Sequence, residues 1–127
     1  MTEAEALDLM VRFRSAYAKR DRAGLIAATS TDFAWHQHYA VQLAELPHGR
    51  ILRGVDALLE QLQWRAEHWQ DVSYANLVER AAQDVLVQTF RIAGTEDGVA
   101  FTADVVDLYP VSDGRITAKD TYWKYLK

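Results

Sequence analysis

The chain has 127 residues, half of them apolar and a quarter charged, with no cysteine; this is the composition of one globular domain over residues 1–127, large enough to bury a core without disulfides or a structural metal. Fourteen Lys and Arg against eighteen Asp and Glu give a net charge of −4, so there is no basic stripe to bind a phosphate backbone and no nucleic-acid partner is expected. The absence of cysteine excludes a thiolate nucleophile and a cysteine zinc site, and the acidic start MTEAEALDLM, with no long apolar run, reads as a cytoplasmic, soluble protein with no membrane partner.

Residues 2–20 read as a helix. Thr2 and Glu5 fit a capping box that satisfies free N–H groups at its start, and Leu7, Met10, Val11, Phe13, Tyr17 and Ala18 recur at helical spacing. Asp21 is placed to cap a second, short helix that carries Leu25 and Ile26 and ends near Ser30. The segment FAWHQHYAVQLAEL is aromatic and alternating, and PHG before RILRG is a turn, which predicts a hairpin. Gly54 precedes a third helix over 55–70, with Val55, Leu58, Leu59, Leu62, Ala66 and Trp69 on one face and Trp64 and His68 on the other. Strands follow at Val72–Ala82, Asp84–Ala93 and Phe101–Pro110, with turns at Gln83–Asp84 and in GTEDG. SDGR turns the chain into a last strand from Ile116 to Leu126. Helices first and then hairpin-linked strands predict an α+β fold with an antiparallel sheet.

This order of elements, with the segments DVVDLYPVSDGRI and KDTYWKY, resembles the nuclear transport factor 2-like superfamily over nearly the whole chain, and within it the SnoaL-like and ketosteroid isomerase-like branch. The resemblance implies a curved sheet wrapped around the N-terminal helices into a cone, a cystatin-like roll. It also implies a pocket between the concave face and the helices, and a homodimer through the outer face. Members of the superfamily include isomerases, cyclases, dehydratases, epoxide hydrolases and non-catalytic binders, so the fold does not select a chemistry. Set against the isomerase pattern, the oxyanion-donating tyrosine of the first helix falls on Phe13 and the general-base aspartate on Gln37, and neither has the required group. The second oxyanion acid falls on Asp107, which matches. Steroid isomerisation by that mechanism is therefore unsupported. The last-strand aspartate of the epoxide hydrolase pattern falls on Thr121.

Strand alternation puts Ala103, Val105, Asp107 and Tyr109 on one face, which the resemblance turns toward the pocket. A carboxyl among Val105, Tyr109 and Phe90 is poorly solvated, which favours its neutral, proton-donating form; the alternative is a structural aspartate bonded to a neighbouring strand or to Gln88. His36 and His38 form an H-x-H pair on one strand face, with Trp35, Gln37 and Tyr39 on the other. Three roles stand open for the pair: a general base or acid titrating near neutral pH, polar residues of the outer face or a dimer interface, or two ligands of a metal site completed by a residue such as Asp107 or His48. The resemblance turns Trp35 and Gln37 inward and the histidines outward, and a bulge would reverse that parity.

The expected pocket wall is Phe13, Tyr17, Trp35, Phe90, Ile92, Tyr109 and Trp123, with Gln37 and Gln88 as its fixed polar points. Lys119 or Thr121 shares the inner face of the last strand with Trp123, while Asp104 and Asp120 lie on the solvated face. Trp64, with His68, is expected as a partner contact or a lid, and Arg65 and Arg53 as solvating residues beside it. The leading expectation is a small-molecule-binding SnoaL-like domain that takes an apolar cyclic or carbonyl compound without cofactor or metal. Its acid–base chemistry would be of isomerase, cyclase or dehydratase type, with Asp107 donating to a developing oxyanion and His36 or His38 moving the proton. The alternative is a non-catalytic binding or dimerisation module.

Overall fold

Thr2 and Glu5 cap the first helix reciprocally: the Thr2 hydroxyl accepts from the Glu5 N–H and the Glu5 carboxylate accepts from the Thr2 N–H, each at 3.1 Å. In the computed structural model, which describes residues 1–38 and 49–126, this helix is α1 (Glu3–Lys19), ended by Arg20 in the left-handed region. Asp21 then caps α2 (Arg22–Ala28) through the Gly24 N–H. Strands β1 (Thr29–His38) and β2 (Arg50–Arg53) form the first hairpin, and α3 (Gly54–His68) crosses to β3 (Trp69–Ala82), β4 (Val85–Glu96), β5 (Val99–Ser112) and β6 (Arg115–Tyr125). Tyr39, Pro47 and His48 lie outside the described residues, so that of the predicted PHG turn only Gly49 is described. Among the described residues no helix is long and apolar enough to cross a membrane.

The sheet has the order β2-β1-β6-β5-β4-β3. The passage through α3 carries the chain to the far edge, and three hairpins bring it back until β6 lies beside β1. Every junction is antiparallel except β1 with β6, which is parallel. That parallel pairing joins distant parts of the sequence, and no hairpin turn announces it.

Irregularities in the strands curve the sheet around the helices. Strand β3 shifts register between Gln70 and Ser73 and again between Ala75 and Val78, at Asp71 and Asn76, whose φ values are 53° and 59°. Asp and Asn tolerate this left-handed region better than most residues, and an extra residue in one strand bends and twists the pair. Gly94 faces the first shift, where any Cβ would stand 3.1 Å from the Gln70 carbonyl oxygen and the Val72 side chain. Gly94 is thus a strand residue rather than part of a GTEDG turn. The turn is Asp97–Gly98 alone, with φ values of 49° and 83°, the two-residue type that matches strand twist. Between β5 and β6 the register shifts between Leu108 and Val111, around Pro110, which has no N–H for a ladder.

Two apolar clusters fill the cone. One packs Leu9, Met10 and Phe13 of α1, Leu25 of α2 and Leu58 and Leu62 of α3 against Phe33, Trp35, Leu86, Tyr109 and Ile116. The other joins Ile92, Ala103 and Val105 with Trp69, Phe101 and Trp123. The buried stripe of α1 includes Ala6, Leu9 and Ala16 and leaves Val11 exposed, a small rotation from the predicted face.

Candidate functional site

Between the two clusters lies a cavity of about 530 Å³, within the size range of small-molecule sites. Phe13 and Tyr17 of α1 and Leu62 and Arg65 of α3 line it from the helical side, and Trp35 reaches it from β1. Gln88, Phe90 and Ile92 of β4, Val105, Asp107 and Tyr109 of β5, and Lys119, Thr121 and Trp123 of β6 form the sheet wall. Strand alternation delivers these sheet residues: Ala103, Val105, Asp107 and Tyr109 are all buried, while Asp104 and Val106 are exposed.

One chain of polar contacts crosses the wall, and its donor directions follow from residues that only donate. The Trp35 indole N–H donates to the Thr121 hydroxyl at 2.8 Å, so the Thr121 proton is directed to Asp107 Oδ1. The Lys119 ammonium donates to Asp107 Oδ2 at 3.0 Å and to the Tyr109 oxygen at 2.9 Å. Tyr109 in turn donates to Gln88 Oε1 at 3.2 Å. The Gln88 amide donates to Glu79 at 2.8 Å, and Arg14 holds Glu79 bidentately. Asp107 and Lys119 are 1% and 5% exposed, making a buried ion pair. Burial first, and then the Asp107 charge, pushes the Tyr109 phenol well above its ordinary value. Burial also raises Tyr17, with the Arg65 charge opposing it. Both phenols are thus neutral hydroxyl donors at physiological pH.

The cations sit on aromatic faces. Lys119 Nζ is 5.1 Å from the ring centroids of Tyr17, Trp35 and Tyr109. The Arg65 guanidinium lies 4.2 Å from the Trp69 ring and 4.9 Å from the Trp35 ring, and it donates to the Tyr17 oxygen at 3.3 Å. Such stacking lets a cation be buried against apolar surface.

Most of the wall expected from sequence is present: Phe13, Tyr17, Trp35, Gln88, Phe90, Ile92, Tyr109 and Trp123 all line the cavity, as do Asp107 and Thr121. Several expectations are corrected. Asp107, expected as a proton donor, instead accepts hydrogen bonds on both oxygens, from Lys119, which points inward beside it, and from Thr121. His36 and His38 are on the opposite face of β1 from Trp35, stacked in a column with Tyr122, the His38 and Tyr122 centroids being 4.4 Å apart. No bulge reverses their parity, so they cannot move a proton in the cavity. The face of β1 likewise separates them from Asp107 as a third metal ligand, and among the described residues no group of three His, Asp or Glu is placed to hold a metal. Gln37 is buried on the inner face but accepts from Arg50 at 2.8 Å, away from the cavity.

Trp64 stacks on His68 at 4.3 Å, and His68 pairs with Asp97 at 2.8 Å, so this corner clamps α3 to the β4–β5 turn. Arg65, expected on the solvated face, is buried. The signal was its spacing: Leu58, Leu62, Arg65 and Trp69 form one stripe of alternating three- and four-residue steps. Lys119 was detectable by its parity with Thr121 and Trp123.

The fold recurs in solved structures. An NTF2-like protein from Burkholderia xenovorans LB400 superposes with a TM-score of 0.83 at 22% identity, over 98% of this chain and 92% of that one. A protein with a cystatin-like fold from Xanthomonas campestris gives 0.69 at 24% identity, over 92% and 88%. An LEH-like epoxide hydrolase of M. tuberculosis gives 0.66 at 17% identity, over 96% and 84%. No curated protein matches the chain by sequence. Residues 10–119 match the family model of the SnoaL-like domain, and the chain belongs to that family.

Proposed function

We propose that the protein binds an apolar, cyclic, carbonyl-bearing small molecule in the cavity and transfers a proton on it, as in isomerase, cyclase or dehydratase chemistry. The observation that carries this reading is the Asp107–Lys119 pair, buried in an aromatic wall yet lining the cavity. Asp107 acts as the base toward a carbon beside the carbonyl. Lys119 and the Tyr17 hydroxyl donate to the oxygen on which negative charge develops, a role that strengthens in a dry site. Positioned acid–base groups of this kind supply roughly 10²–10⁴-fold acceleration. The pair replaces the Asp107–histidine partnership expected from sequence.

The test uses 2-tetralone, a cyclic ketone, in deuterated water. Wild-type protein is expected to accelerate exchange of the hydrogens beside the carbonyl, and Asp107→Asn to lose about 10²-fold of that rate. Exchange no faster than in buffer, or equally fast in Asp107→Asn, overturns the catalytic reading. A second reading, a binding module without catalysis, draws support from the donors already held by both Asp107 oxygens; under it Asp107→Asn alters stability alone.

The outer face carries His36, His38, Tyr122 and Val106, the last two exposed. This supports a homodimer through that face, to be tested by sedimentation of Tyr122→Glu. An acidic chain without cysteine is consistent with the cytoplasm.

A further inference from the structure

We infer that the ligand is an organic anion, a flat apolar body bearing a carboxylate or an equally acidic oxygen. The inference rests on the proposed use of the cavity as a ligand site and names the class of molecule it takes. Among the described residues, four basic side chains, Arg14, Arg20, Arg65 and Lys119, line the cavity against one acid, Asp107, in a chain whose net charge is −4. Adding Glu79, the partner of Arg14 just behind the wall, still leaves a positive balance. Positive charge is thus concentrated at one concavity of an acidic protein, where low-dielectric walls focus it.

The hydrogen-bond inventory points the same way. Lys119 has three N–H donors; two go to Asp107 and Tyr109, and among the described residues none takes the third. The Tyr17 oxygen accepts from Arg65, and among the described residues none takes the Tyr17 proton. The acids already take donors from the protein: Asp107 accepts from two residues, and Glu79 accepts two bonds from Arg14 and one from Gln88. The cavity therefore offers donors to a ligand far more than acceptors. Its aromatic faces, which would otherwise attract a cationic ligand, are covered by Lys119 and Arg65.

Three probes with one ring system and different charge test this: 2-naphthoate, the neutral 2-acetonaphthone, and trimethyl(2-naphthyl)ammonium, each titrated by calorimetry. The naphthoate is expected to bind about tenfold more tightly than the ketone, the gain of one charge-assisted hydrogen bond over a neutral one, and the ammonium more weakly than either. Raising the salt concentration should weaken only the naphthoate, a comparison that needs no variant. Lys119→Met should remove the naphthoate's advantage over the ketone, and Lys119→Arg, which keeps the charge, should retain it. A ketone or ammonium that binds as tightly as the naphthoate overturns the anion inference while leaving the cavity as a ligand site. Failure of all three probes to bind overturns both.

Discussion

Trp35 and Thr121 are diagonal neighbours across the parallel β1–β6 junction, Trp35 lying opposite Lys119, and the indole N–H donates to the threonine hydroxyl at 2.8 Å. Because an indole N–H cannot accept, the bond fixes the Thr121 hydroxyl as a donor to Asp107. One threonine thus couples this parallel pairing to the acid of the cavity. Replacing it with valine keeps the shape and removes both bonds, leaving a buried N–H without an acceptor and a carboxylate oxygen short of one donor. Thr121→Val is expected to lower unfolding free energy by about 2–6 kcal/mol, from roughly 1–3 kcal/mol for each of the two groups. Thr121→Ser, which restores the hydroxyl, should recover most of it. Urea unfolding of the two variants makes the comparison, and equal losses would mean that packing rather than the hydroxyl matters.

The Asp107–Lys119 pair invites a double-mutant cycle. Lys119→Met alone strands a buried carboxylate, and Asp107→Asn alone strands a buried ammonium, each expected to cost about 3–5 kcal/mol. The double variant removes both charges and should be more stable than the Lys119→Met single. Unfolding free energies that simply add would show that the two charges do not sense one another at 3.0 Å.

What the sequence disclosed divides along the range of the interactions. Helix starts were legible because Thr2, Glu5 and Asp21 act within three residues of their partners. The inward face of β5 was legible because alternation is local, which is why Asp107 and Tyr109 were found. The roles of Lys119 and Arg65 were not, since a charged residue on an inward stripe is ordinarily assigned to solvent. Their burial depends on partners in other elements: Asp107 and Tyr109 of β5 for Lys119, and Tyr17 of α1 and Trp35 of β1 for Arg65. The strands ran further than predicted because Gly94 signals a turn in sequence while serving close backbone approach in space.

Gly98 gives a simpler test of the hairpin that replaced the GTEDG turn. A Cβ there would meet nothing within 4 Å, yet φ is +83°. The penalty for alanine is therefore conformational alone. Gly98→Ala is expected to cost about 1 kcal/mol, with no change in the cavity's ligand affinity. Thermal unfolding together with the naphthoate titration checks both parts. An unchanged melting temperature would argue against the left-handed turn.

Tyr109 predicts how stability responds to alkali. Its phenol is held well above the ordinary value of 10.0, chiefly by burial and then by Asp107. Below that value both the folded and the unfolded chain keep the proton, and the pH dependence from this group vanishes. Above it the unfolded chain releases its proton first, so it binds fewer protons than the folded chain and unfolding free energy falls with rising pH. The loss should begin near pH 10 and continue through the folded value. Tyr109→Phe removes this dependence: it is expected to be less stable at neutral pH, because Lys119 and Gln88 each lose a partner, yet to show a shallower decline in alkali than wild type. Tyr17, also raised by burial, leaves part of the slope in place. Urea midpoints of the two proteins between about pH 9 and 11 separate the cases; parallel declines would mean that Tyr109 ionises as readily folded as unfolded.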